Sequence, residues 1–98
     1  MSQFHELINR NTPTLVDFYA DWCGPCKMMP PILKQVKNEM GGSINILKVD
    51  VDKNKKAATK YGIRSIPTIM LFKNGKIVWR KSGVAQAGEI KQAIKQVS

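Results

Sequence analysis

The only two cysteines of this 98-residue chain stand three positions apart, in Trp22-Cys23-Gly24-Pro25-Cys26-Lys27. An apolar run, Leu15-Val16-Asp17-Phe18-Tyr19-Ala20, precedes them, and a segment with helical spacing follows. Across the first turn of a helix, cysteines at i and i+3 come within disulfide reach. The unpaired N–H groups and the dipole at a helix N-terminus favour an anion. That lowers the pKa of Cys23 and raises its thiolate fraction. Cys26, one turn further in, is expected to be the less exposed of the two. This asymmetry predicts thiol–disulfide exchange. The Cys23 thiolate attacks a substrate disulfide, and Cys26 then attacks the Cys23 sulfur, releasing reduced substrate and closing a Cys23–Cys26 disulfide.

Cys26 must lose a proton in that second step, and Asp17 is the candidate general acid/base. It lies six residues before Cys23, with Leu15 and Tyr19 on its own strand face. Burial without a partner is costly for a carboxylate and raises its pKa toward the range useful for proton transfer. Lys48, on a neighbouring strand, is a candidate modulator of Asp17. A metal site is not expected: a closed zinc site needs four ligands, and the chain offers two cysteines and one histidine, His5. His5 reads as a surface helix residue.

The elements that must hold this site follow from periodicity. Ser2 to Asn9 reads as a short helix with Phe4, Leu7 and Ile8 on one face. Leu15 to Ala20 reads as a central strand, apolar on both faces except at Asp17. A helix from the cysteine motif to about Met40 follows, with Pro25 in its first turn. Ile32, Leu33, Val36 and Met40 form its inward stripe, Pro30 and Pro31 predict a kink, and Gly41-Gly42 ends it. Ile44 to Val49 is a second strand, parallel to the first through a right-handed βαβ unit. Asn54 caps a short helix through Lys60, with Gly62 as its stop. Thr68 to Phe72 and Ile77 to Lys81 form a hairpin about Asn74-Gly75, a pair suited to type I′ geometry. Gly83 breaks the last strand, and Ala87 to Val97 is the final helix. The order α-β-α-β-α-β-β-α predicts an α/β fold, a mixed sheet with helices on both faces.

The length predicts one domain, residues 1–98. Hydrophobic residues make up 43%, suiting a soluble protein, and no apolar run nears the ~20 residues of a membrane span. Met1 to Leu7 carries neither a basic n-region nor an apolar h-region, so a cytoplasmic location is expected. Two cysteines are too few for a disulfide scaffold, and a pair this close in a reducing compartment is more often catalytic or metal-binding. The formal charge of +9 raises the question of nucleic-acid binding. The lysines are dispersed over the polar faces of helices without interleaved aromatics. That predicts a solvated basic surface, no nucleic-acid partner and at most a weak preference for acidic proteins.

Leu15 through Met28 resembles the active-site segment of the thioredoxin family. Tyr61-Gly62-Ile63-Arg64-Ser65-Ile66-Pro67-Thr68, then Leu71-Phe72-Lys73-Asn74-Gly75, is similar to that family's second signature. The likeness runs from about Phe4 to Val97. It implies a thioredoxin fold, with a central four-stranded mixed sheet flanked by four helices. It also implies a protein-disulfide reductase that serves electron transport and cell redox homeostasis through Cys23 and Cys26. The resemblance makes Pro67 a cis-proline beside the dithiol, with Ile66 offering backbone groups to an extended substrate. Trp22, Gly24, Pro25 and Gly83 would complete the docking surface, Asp52 would hold the Trp22 indole, and Pro31 would kink the active-site helix. The implied partners are disulfide-containing clients and a thioredoxin reductase. NADPH would be used only by that reductase, since this chain has no nucleotide fingerprint and no cofactor beyond its own dithiol is implied. A monomer is expected. The Gly-Pro spacer resembles that of reductants. Two alternatives are a disulfide oxidase or isomerase, and a thioredoxin-fold binding or chaperone module. The chain departs from the family pattern in lacking the usual first β-strand, which puts Ile44–Val49 at a sheet edge. Tyr19 stands where tryptophan is frequent, and Pro30 adds a second proline beside Pro31.

Overall fold

Strand β1, Thr14–Tyr19, is the element on which the sheet is built; the computed structural model describes residues 2–98. From Thr14 to Phe18 every residue of β1 is buried. That requires cover on both faces and both edges, and the sheet provides it. β1 pairs in parallel with β2 (Asn45–Asp50) and antiparallel with β3 (Thr68–Lys73), which pairs antiparallel with β4 (Lys76–Ser82). The strand order is β2-β1-β3-β4, a mixed sheet with β2 at one edge, as expected. The helices are α1 (Ser2–Ile8), α2 (Met29–Met40), α3 (Lys55–Lys60) and α4 (Ala87–Val97). Among the described residues no strand precedes α1.

Alternation along the strands sorts the core into two layers. Leu15, Ile69 and Leu71 face α2 and α4, meeting Met29, Leu33, Val36, Ile90, Ala93 and Ile94. Val16, Phe18, Met70 and Phe72 face the other way, onto Phe4 and Ile8 of α1 and onto Tyr61 and Ile63 beyond α3. Phe72 anchors this second layer with edge-on contacts to Phe4 and Tyr61, centroids 6.0 and 5.3 Å away. The buried Thr14 hydroxyl donates to the Leu7 carbonyl and ties α1 to the start of β1. At the hairpin, Asn74 and Gly75 take φ of 53° and 80°, the left-handed pair that a type I′ turn demands. Their amides donate to Arg10 and Ile8 carbonyls, clamping the turn onto the end of α1.

The segment after the cysteine motif differs from the single kinked helix expected. Pro25–Met28 is a separate 3₁₀ turn, and α2 begins only at Met29. The physical reason lies in Pro30 and Pro31. Neither has an N–H, so neither can close an α-helical bond to the carbonyls of Cys26 and Lys27. The Met29 amide bonds the Cys26 carbonyl instead, and the first turn tightens. Gly41, at φ 57°, ends α2 where expected, and Lys37 spans the turn by donating to the carbonyls of Gly41 and Ile44. Asn54 sits at the N-cap of α3, but its side chain makes no cap bond. It donates to the Asp50 carbonyl instead.

Candidate active site

The end of β1 and the 3₁₀ turn hold Cys23 and Cys26 together as a disulfide, with Cα atoms 5.3 Å apart. Pro25 occupies the first position of that turn, where its missing N–H costs nothing. The turn aims the Cys26 backbone N–H at Cys23 Sγ, 3.2 Å away. This oriented donor is the local feature that favours negative charge on Cys23. The expected difference in exposure is absent: Cys23 is 4% and Cys26 5% exposed. Tyr19, Val51 and Ile66, from three separate parts of the chain, pack against the cluster that Cys23 and Cys26 form with Ala20. The asymmetry lies in what each cysteine faces.

Cys23 faces the chain entering β3. Its Sγ lies 3.7 Å from the Ile66 carbonyl oxygen. The Ile66–Pro67 peptide bond is cis, as the resemblance implied, and Pro67 is buried. The Pro67 carbonyl accepts the Gly83 amide at 2.8 Å, with Gly83 at φ 96°. The sequence-predicted trio Ile66, Pro67 and Gly83 is thus brought together beside Cys23. Gly24 and Pro25 are exposed in front of the disulfide. Trp22 is 72% exposed, and its indole N–H donates to Asp52 Oδ2 at 2.8 Å, which fixes the ring orientation.

Cys26 faces inward. It borders a cavity of ≈ 170 Å³ shared with Asp17, Tyr19, Pro30 and Lys48. Asp17 is 1% exposed, and its Oδ1 has no hydrogen-bond partner. Desolvation by burial pushes its pKa up to about 6, against a smaller lowering by the Lys48 ammonium. Lys48 is opposite Asp17 in the β1–β2 register and is exposed, with Nζ 6.0 Å from the Tyr19 ring centroid. Pro30, unusual by sequence, is therefore a wall of the cavity beneath Cys26. His5 is on the exposed side of α1, away from these groups. Among the described residues no cluster of three or more metal-ligating side chains occurs.

Two features of the site escaped sequence reading. Met28 is 55% exposed at the end of the 3₁₀ turn and adds an exposed apolar side chain to the active-site segment. Its place inside the active-site segment was the available signal. A groove of ≈ 390 Å³ runs along Trp22, lined by Val51, Ile63, Ile66, Lys55 and Arg64. No spacing rule reveals it, because its walls come from α3 itself and from the loops on either side of it.

The architecture and dithiol define a thiol–disulfide oxidoreductase of the α/β class. The family model described as Thioredoxin matches residues 1–96, and the chain belongs to the thioredoxin family. It is 47% identical over 85 residues to the thioredoxin of Rickettsia conorii, a match covering 87% of this chain and 81% of that one. Among solved structures it is similar to a point-mutant thioredoxin from Halobacterium salinarum. That match has a TM-score of 0.90 and 33% identity, over 99% of this chain and 84% of the other. It is also similar to oxidised mitochondrial thioredoxin 3 from Saccharomyces cerevisiae, with a TM-score of 0.85 and 34% identity over 97% and 88% of the two chains. With the paired Cys23 and Cys26 in place, the chain is a protein-disulfide reductase that acts by dithiol–disulfide exchange on disulfide-containing targets.

Proposed function

We propose unequal roles for the two cysteines, with Cys23 the nucleophile and Cys26 the resolving thiol. The observation that carries this reading is the Cys26 amide pointing at Cys23 Sγ at 3.2 Å. In the reduced form that donor stabilises a thiolate on Cys23. The Cys23 thiolate attacks one sulfur of a client disulfide, forming a mixed disulfide and expelling the other client sulfur as a thiolate. Cys26 then gives up its proton through the cavity it shares with Asp17, whose raised pKa suits it to accept. The Cys26 thiolate attacks Cys23 Sγ, the second client sulfur leaves, and the Cys23–Cys26 disulfide closes. The client gains two electrons, and the chain is left oxidised. Lys48 acts on this step only through charge, by tuning Asp17.

Substrate docking falls to the exposed Trp22, Gly24 and Pro25, to the half-buried Gly83 and to the backbone of Ile66 beside Pro67. An extended client strand laid against Ile66 comes within reach of Cys23, since the Ile66 carbonyl is 3.7 Å from its sulfur. We further read residues 1–98 as one thioredoxin domain working as a cytoplasmic monomer in electron transport. It needs no bound cofactor and is recharged by a thioredoxin reductase that draws on NADPH. No helix is long and apolar enough to cross a membrane among the described residues. The test is reduction of insulin with dithiothreitol as recharging reductant. The wild-type chain is expected to accelerate turnover well above the rate for Cys23→Ser; equal rates for the two would remove the reductase assignment.

A further inference from the structure

We infer that the groove beside Trp22 binds an acidic, extended stretch of the client polypeptide next to its disulfide, an inference resting on the reductase reading of Cys23–Cys26. The groove has an apolar floor, Val51, Ile63 and Ile66, and a cationic rim, Lys55 and Arg64. Its lining includes Ile66, whose carbonyl is 3.7 Å from Cys23 Sγ, so a chain in the groove that touches Ile66 is next to the attacking sulfur. The rim belongs to a larger charge cluster. Lys53, Lys55, Lys56, Lys60 and Arg64 crowd into residues 53–64, and all five are exposed.

Among the described residues no acidic side chain pairs with them. The two salt bridges there, Lys81–Glu89 and Lys91–Glu39, involve none of the five. Asp52, the acid nearest this cluster in sequence and exposed, commits its Oδ2 to the Trp22 indole N–H. Asp50 is buried, with Oδ1 accepting the amides of Asp52 and Lys53. The Asp52 carboxylate keeps its charge while accepting from the neutral indole, but against five cations it leaves the cluster net positive. A net cationic rim above an apolar floor fits carboxylate side chains interspersed with apolar ones. A partner that must also deliver a disulfide to Cys23 is a polypeptide. Charges lining a groove that also contains Ile66, the residue against Cys23 Sγ, act on a bound chain over the ~8–10 Å screening length at ordinary ionic strength, and steering of this kind raises productive encounters by about tenfold or more.

The experiment uses the full chain, recharged by dithiothreitol, and three disulfide peptides that differ only in their flank: Asp/Glu-rich, Ser/Gln-rich or Lys/Arg-rich. At low salt kcat/KM is expected to be about tenfold higher for the acidic than for the neutral flank, and lowest for the basic one. High salt should bring the three together. The Lys55→Glu/Arg64→Glu variant is expected to reverse the order, and Lys55→Gln/Arg64→Gln to flatten it. Both positions are exposed, so folding is not at stake. Lys76→Glu/Lys95→Glu makes the same change in net charge at the hairpin and on α4, and should preserve the order. Equal kcat/KM for three peptides that are all reduced would overturn the inference while the reductase reading stands. A loss of preference in Lys76→Glu/Lys95→Glu as large as in Lys55→Glu/Arg64→Glu would also overturn it, since net charge would then carry the effect. If no peptide is reduced faster than by dithiothreitol alone, the reductase reading fails and the inference falls with it.

Discussion

Asp17 carries the clearest physical cost in the molecule. Its folded pKa of about 6 stands above the ordinary 3.8 because burial disfavours the charge. The folded state therefore holds a proton that the unfolded state has lost as pH rises from about 4 to about 6, and stability falls across that window. Above it, the ionised carboxylate costs on the order of 3 kcal/mol. Asp17→Asn is thus expected to be more stable than wild type at pH 8 by up to that amount, with the difference vanishing below pH ~4; urea unfolding across pH measures it. Equal stabilities at pH 8 would mean the carboxylate is not strained. Lys48→Gln removes the ammonium that lowers the Asp17 pKa, so a carboxyl NMR titration should show the Asp17 inflection moving upward from about 6. An unmoved inflection would end the proposed role of Lys48. Asp17 was legible in the sequence because one strand face determines its neighbours. The near-equal burial of the two cysteines was not, since Val51 and Ile66 pack against their cluster from distant parts of the chain.

Among the elements, the strands and the hairpin were the most legible. Apolar alternation fixed their faces, and Asn74-Gly75 fixed the turn. The active-site helix was only half legible. Pro30 and Pro31 announced a disruption, but its form depended on which amide would take the Cys26 carbonyl, and that was Met29. Beside the dithiol, the link from β4 to α4 depends on Gly83. A Cβ there meets no atom within 4 Å, so space is not the constraint; the φ of 96° is. Gly83→Val is expected to cost about 1–3 kcal/mol of stability and to disturb the amide bond to the Pro67 carbonyl. Denaturant unfolding together with faster exchange of that amide checks this. Unchanged protection at residue 83 would show that the link does not rely on glycine.

At the scale of the whole molecule, the sheet stands between two apolar layers, and each supports the site from one side. Phe72, fully buried against Phe4 and Tyr61, is the pivot of the layer under α1 and α3. Phe72→Ala is expected to lose about 3–5 kcal/mol, a large share of the ~5–15 kcal/mol typical of a folded domain. A fall in the urea midpoint with unchanged slope would report it, and a loss under ~1 kcal/mol would contradict the packing described. The central claim is the division of labour between Cys23 and Cys26. It is tested most directly by incubating reduced Cys26→Ser with a disulfide peptide and mapping the adduct by mass spectrometry. The account predicts a stable mixed disulfide on Cys23, while reduced Cys23→Ser forms little or none on Cys26 in the same time. Adducts forming at equal rates on either cysteine, or faster on Cys26, would contradict it.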